Sequence, residues 1–438
     1  MTAIDADTRA VPPARRGWSR AAWLFAFACF FPYPALAIGG NTGLQVSQAA
    51  ALAAIPFLVA RPPGRSFRAI LLLLGPVFVS MFLNHMFVDV PSPDVLVKQS
   101  IGTALAVLVI WPADWLADRD LFREVLAAAG AAIVLHSLIG LLQLYSFSKD
   151  QFPLLFLYVN PSFNSMQEWA EEYALYVKRP CGLFPEPSAM AASLGPWTVL
   201  LAGLLLNPGL RRRLGWRRAW PVIPPVACGC LMLALSGSGS TFALMAALLV
   251  ICAGEVWRMV HAPRPSQLVM VALVLLSVAS VLGYAISQLG SEHLESRIDS
   301  SWGLRAASIR MGLTLNSDPL NVAVGVGPGQ SSPIIMSHWS GPPISKTQKD
   351  VAIFSMAVSY YAETGLLGAA ALLAVLAMAV GAITRSSAVL LGLCAFGSWL
   401  VGVVVTTSYC ALSPVWLFLG VVLSWDRLFP RAILMKGR

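Results

Sequence analysis

Residues 362–384, AETGLLGAAALLAVLAMAVGAIT, hold one charged side chain, Glu363, in 23 positions. A helix needs about 20 apolar residues to cross a bilayer core, so this run has the length and composition of a membrane span. Runs of the same kind recur at approximately 20–38, 44–60, 67–88, 95–112, 124–146, 187–207, 220–236, 240–256, 267–289, 388–407 and 412–426, twelve in all. The whole chain agrees. Its 438 residues are 57% hydrophobic and 12% charged, with a mean hydropathy of +0.71, too little polar surface for a soluble fold of this size. The predicted class is an all-α polytopic membrane protein, and with no internal repeat, low-complexity tract or soluble domain, 1–438 reads as a single integral membrane domain.

Arginine sets the expected orientation. With the N-terminus inside, the predicted cytoplasmic segments and flanks hold 21 of the 30 Lys and Arg residues but only eight of the 21 acids. The positive-inside rule therefore gives N-in and C-in. The net charge of +9 follows from topology and calls for no nucleic-acid partner. The tract RRRLGWRR (211–218) reads as a stop signal or a contact with anionic lipid. The first apolar run passes into Gly39-Gly40-Asn41 without a small-x-small cleavage site, so it is expected to stay as an anchor.

Two long polar stretches then fall on the outer face, at 147–186 and 290–361. Connections of this length are expected to be functional and partly helical. In the first, 161–178 has helix-compatible residues, and KRPCGLFPEPSAM (178–190) leads into the sixth span. In the second, Trp302, Ala306, Ile309 and Leu313 recur at helical spacing, an apolar stripe that would lie against lipid or protein. Arg305, Ser308, Gly312 and Asn316 form the adjacent stripe. Pro319 is expected to stop this helix, and GVGPGQ (325–330) to form an irregular, backbone-exposing turn beside an outward cavity.

These stretches supply the candidate residues. Arg179, stiffened by Pro180, Pro185 and Pro187, presents a guanidinium fork suited to phosphate oxygens; the plainer reading is an interfacial arginine. Lys178 reads as an interfacial charge. Glu186, just before the sixth span, either caps that helix, pairs with an arginine, or accepts a proton from a sugar hydroxyl. Arg305 lies on the polar stripe that leads to the glycine turn. Arg297 and Arg310 are weaker substrate-binding candidates, as are Gly325, Gly327 and Gln330, whose exposed amides would cradle phosphate as a nest. His338 is a candidate acid or base. His85 and His136 lie in spans and read as hydrogen-bonded packing residues, while SGSGST (236–241) reads first as a tight turn. Glu363 is expected to face protein or the cavity, because an unpaired charge at mid-bilayer costs at least about 2.5–3.5 kcal/mol. Cys181 and Cys410 fall near the outer face, where a disulfide is geometrically conceivable. No metal-ligand spacing appears in the seven cysteines or five histidines, so neither metal nor cofactor is expected.

RPCGLFPEPS (179–188), the Arg305 helix followed by GVGPG, and ETGLLG (363–368) occur in an order and spacing that resemble the bacterial O-antigen polymerase and ligase superfamily, the Wzy and WaaL type. The resemblance runs from about residue 175 to 370. It implies a metal-independent, GT-C-like glycosyltransferase of the bacterial inner membrane with its site facing the periplasm. Undecaprenyl-diphosphate-linked oligosaccharides would be donor and acceptor, with chain-length and export proteins as further partners. The family's paired loop arginines map onto Arg179 and Arg305. Thr241 stands where many relatives carry a basic residue, and Lys349-Asp350 where a His-Asn pair is often found. The RPxGLFPEPS form most resembles exopolysaccharide polymerases of the xanthan kind. An O-antigen ligase and a transporter or flippase for lipid-linked glycan are the rival readings.

Overall fold

Pro187 opens a helix, Pro187–Leu206, in which every residue is buried. A proline is tolerated at this first position because its missing N–H would have no partner there. The computed structural model describes residues 13–33, 35–37, 43–59, 64–88, 90–112, 119–158, 173–216, 218–238, 241, 246–254, 292–339, 352–405 and 412–431. Within them the chain is mostly helical: α1 (Pro13–Cys29), α2 (Val46–Val59), α3 (Arg65–Phe87), α4 (Pro93–Leu108), α5 (Arg119–Phe147), α6 (Pro187–Leu206), α7 (Pro208–Arg213), α8 (Ile223–Leu235), α9 (Glu292–Thr314), α10 (Pro319–Val324), α11 (Ser331–Ser337), α12 (Met356–Thr384), α13 (Val389–Trp399), α14 (Ser413–Leu423) and α15 (Trp425–Leu428). One small antiparallel ribbon pairs Ala35–Ala37 with Gly43–Gln45, Ala35 opposite Gln45.

Four described helices are long and apolar enough to cross a membrane: Arg65–Phe87, Leu121–Phe147, Pro187–Leu206 and Met356–Thr384. They coincide with the expected spans at 67–88, 124–146, 187–207 and 362–384. Shorter apolar helices at Trp220–Leu235, Val389–Val403 and Ser413–Leu423 occupy three further ones. The expected span 267–289, part of 240–256, and residues 161–172 of the expected surface helix lie outside the described residues.

Helix α6 is the hub, in contact with α5, α8, α13 and α14. Gly203 permits the closest of these approaches, since a Cβ there would lie 2.2 Å from Leu391 Cδ1. Small residues at helix crossings let backbones approach where lipid supplies no hydrophobic driving force. Phe30 of the α1 end and Phe418 of α14 meet Trp197 edge-on, at 5.7 and 5.4 Å between ring centres.

Polar contacts sort the helix ends into two sets. At one end, Arg65 opens α3 and grips Asp426 with two nitrogens, at 2.8 and 2.7 Å, while Arg385 approaches the same carboxylate at 3.5 Å. Arg211 donates to the carbonyls of Leu204 and Leu205, capping the exit of α6, and Arg213 bonds Ser387. Arg431 holds the carbonyls of Thr384 and Ser386. Basic side chains suit helix C-termini, where carbonyls lack partners. The end of α3, the end of α5, the end of α8 and the starts of α6 and α12 gather at the other end around Asn84, Gln143, Arg179 and Glu363.

Two expectations need correction. Pro319 does not stop the Arg305 helix: α9 ends at Thr314, and Pro319 instead begins α10, whose first amides at Leu320 and Asn321 are capped by the Asp318 carboxylate. His85 is exposed on α3 and is no packing residue. Removing the carboxylate in Asp426→Ala leaves Arg65 and Arg385 facing each other at a partly buried site. We expect a loss of about 1.5–3 kcal/mol, since hydrogen bonds to charged groups carry that much. Melting of the detergent-solubilised protein should show it, with Arg65→Ala adding little on top.

Candidate functional site

The segment 178–186 is built by helix α5. Gln143, buried and in the last turns of that helix, accepts from the amides of Cys181 and Gly182, both at 3.0 Å, and donates to the Gly182 carbonyl at 2.9 Å and to the Tyr158 hydroxyl at 2.7 Å. Tyr158 donates in turn to the Gly182 carbonyl. Two turns earlier on the same face, His136 accepts from the Leu183 amide at 3.0 Å through Nδ1 and so donates through Nε2 to the Phe30 carbonyl. Phe31 and Phe184 flank its ring. The packing role expected for His136 is the one it has. Gly182 has φ +57°, and a Cβ there would sit 2.7 Å from His136 Nδ1, so only glycine fits the turn.

That clasp aims Arg179. Tyr173, in a π-helical turn at Tyr173–Val177, donates to the Arg179 carbonyl at 2.7 Å. The Arg179 guanidinium donates to the Gly237 carbonyl at 3.2 Å, which brings the RPCGLFPEPS segment onto the end of α8 and the SGSGST turn. Ser236 and Thr241 both donate to the Leu233 carbonyl, closing that turn. Lys178 pairs with Asp150 at 2.6 Å, both side chains about half exposed.

Glu186 precedes α6 with extended backbone, and its side chain accepts no capping hydrogen bond. Its carbonyl receives Met190 N–H at 3.1 Å, so the carboxylate is not the cap. Burial raises the Tyr173 hydroxyl well above the usual range; nearby Cys181 adds to this, Arg179 opposes it and Glu186 reinforces it. Arg179 and Glu186 thus act on one buried hydroxyl. Burial also pushes the Cys181 thiol up to about 12. Cys181 is a free thiol, and Cys410 lies outside the described residues.

A second assembly joins the glycine-rich turn to the ETG segment. Gly365 has φ +64°, ψ −159° inside α12, and this break frees the carbonyls of Ala362 and Glu363. They accept from the amides of Val326 at 2.9 Å and Gly327 at 3.2 Å. Ser80 and Asn84 of α3 complete the junction, Ser80 donating to the Glu363 carbonyl and Asn84 to the Gly325 carbonyl. The Glu363 carboxylate receives Ser331 Oγ–H at 2.7 Å and the Gly329 amide. Glu363 therefore faces protein, as its cost in lipid requires. Apart from half-buried Gly329 the residues 325–330 are buried, however, and the turn does not offer free amides: those of Val326, Gly327 and Gly329 are spent on α12. Gln330, with no exposed surface, exchanges hydrogen bonds with the backbone of Ser92 at 3.0 and 2.8 Å.

Helix α9 docks beside this junction through its polar stripe. Ser308 is buried, a Cβ at Gly312 would meet Ile353 at 2.8 Å, and Asn316 donates to the Tyr361 carbonyl at 3.0 Å. Leu313, on the apolar stripe, is 53% exposed. The buried stripe carries Arg305 inward, where its guanidinium lies over the Phe354 ring at 5.2 Å. Arg310 is exposed, and the side chains of Arg297 and Trp302 lie outside the described residues. His338 ends α11 with Nδ1 near Ser337 Oγ at 2.9 Å and the Ile334 carbonyl at 3.1 Å, on the surface.

Arg179 and Arg305 therefore stand at the same end of the helical array, opposite the Arg65–Asp426 cluster, on two separately built supports. The sequence reading passed over Gln143, Tyr173 and Phe354. For Gln143 a signal existed: an amide within an apolar span must find a partner, and it lies seven residues from His136, on one helical face. Among the described residues, no three His, Cys, Asp or Glu side chains gather as metal ligands. Compared with known proteins, the chain matches no family model, and no curated protein gives a significant match.

Gln143→Leu orphans two buried amides, each worth about 1–3 kcal/mol. Maleimide, inert toward Cys181 in the native protein, should then label it. Gly325→Ala would force a Cβ to 2.2 Å from the Glu363 carbonyl carbon at φ +76°. A cost of at least about 3 kcal/mol is expected, read as loss of folded protein on size-exclusion chromatography.

Proposed function

We propose that the protein is a polysaccharide polymerase of the inner membrane, joining undecaprenyl-diphosphate-linked repeats at its periplasmic face during exopolysaccharide biosynthesis. In this reading the chain has twelve spans, N-in and C-in, in a GT-C-like arrangement. The arginine-rich end faces the cytoplasm, and the end bearing Arg179 and Arg305 faces the periplasm. The growing chain is the donor, and a hydroxyl of the incoming repeat attacks its anomeric carbon. Undecaprenyl diphosphate leaves, and its oxygens gain negative charge as the bond breaks. Two preorganised guanidinium groups offset that charge without reorganisation during the reaction. Neither metal nor cofactor takes part. The attacking proton passes to Glu186 or to His338.

The observation that carries this reading is that both arginines stand at the end of the helical array away from the Arg65–Asp426 cluster, each fixed by a support that the fold builds for it. Glu186 and Arg179 both act electrostatically on the Tyr173 hydroxyl, which favours Glu186 over His338, whose ring is occupied on the surface by its own helix. Arg179→Ala and Arg305→Ala should each lower polymerisation of purified lipid-linked repeats by on the order of 10²–10³ while leaving the melting temperature near wild type. Wild-type polymer yield from folded Arg305→Ala would reject the proposal. So would vesicle transport of lipid-linked glycan without any lengthened product.

A further inference from the structure

At the arginine-rich end, a cavity of about 230 Å3 opens between the exit of α6, helix α7 and the start of α13. Its lining is mixed: the buried side chains of Ile251 and Leu391 form an apolar floor with Leu390 beside them, and Asn207, Arg213 and Ser387 supply polar groups. Arg213 donates one N–H to Ser387 Oγ at 3.0 Å, and Ser387 in turn donates to the Phe429 carbonyl. The guanidinium is thus anchored through one nitrogen beside the cavity it lines. The local field is positive. Arg212 is exposed beside it, and the acids described at this end are already engaged, Asp426 by Arg65 and Arg385 and Glu124 by Arg123.

We propose that this cavity binds the phosphodiester headgroup of an anionic phospholipid, with Arg213 as its phosphate ligand. The site is independent of the polymerase reading. A phosphate alone would account for the arginine but not for a floor of isoleucine and leucine. A glycerophospholipid accounts for both, its phosphate on the guanidinium and its glycerol and upper acyl carbons on the floor. Leu390 reaches from the floor to the outer surface at 36% exposed, and Leu393, one turn further on the same face, is 43% exposed. Together they continue the apolar track in the direction an acyl chain would leave.

The test uses the full-length protein in neutral detergent. Melting is followed with phosphatidylglycerol, with phosphatidylcholine, and with inorganic phosphate, and retained lipid is counted by native mass spectrometry. Phosphatidylglycerol should raise the melting temperature by a few degrees and be retained, whereas phosphatidylcholine and inorganic phosphate should do neither. Arg213→Glu should abolish both effects, and Arg218→Glu, an equal charge change in the same basic tract but off the cavity, should preserve them. If Arg213→Glu aggregates, Arg213→Gln replaces it with the same expectation. Equal lipid retention by the Arg213 and Arg218 variants, or no preference for the anionic lipid in the wild type, overturns the proposal. An equal shift from inorganic phosphate alone also overturns it and assigns the cavity to free phosphate.

Discussion

Backbone that leaves the helical ladder at the edge of a bilayer must find its hydrogen bonds within the protein. In this chain two long helices meet that demand with side chains. From α5, Gln143 and His136 satisfy the turn at 181–183; from α3, Ser80 and Asn84 hold the junction between 325–327 and 362–363. Both candidate arginines depend on these supports. Without the Gln143 clasp the turn that leads from Arg179 loses its partners at Cys181 and Gly182, and without the Gly325–Glu363 junction the surface receiving α9 loses its support.

The four long apolar helices were legible because their signal is local: a run of about 20 apolar residues is read without knowing its neighbours. The helical character of 302–314 was legible from an equally local signal, its periodicity, although the helix itself begins at Glu292. Which of its stripes would be buried was not. Periodicity marks Trp302, Ala306, Ile309 and Leu313 as apolar, but in a membrane protein apolar does not mean inward. Leu313 is left exposed, while Ser308 and Asn316 find hydrogen-bond partners in protein. The boundary at Pro319 failed through a related ambiguity, since proline both ends helices and begins them. Asp318 immediately before it was the sign that a new helix starts.

The glycine motif illustrates a different limit. GVGPGQ announces unusual backbone, and Gly325, Gly327 and Gly329 do have positive φ. A glycine-rich turn that cradles a ligand and one that lets two backbones touch have the same composition. Here the touching partner is the ETG segment, 36 residues further on, whose own glycine breaks the helix to release the matching carbonyls. The two motifs answer each other, and neither alone discloses that.

Helix α6 is buried along its whole length, which separates two properties that usually travel together in membrane proteins. Its apolar character serves the moment of insertion, when lipid surrounds it; in the finished molecule every side chain touches protein. Such a helix has no lenient side. Replacements along 187–206 should therefore be resisted without the three-to-four-residue rhythm shown by a span that turns one flank to the bilayer.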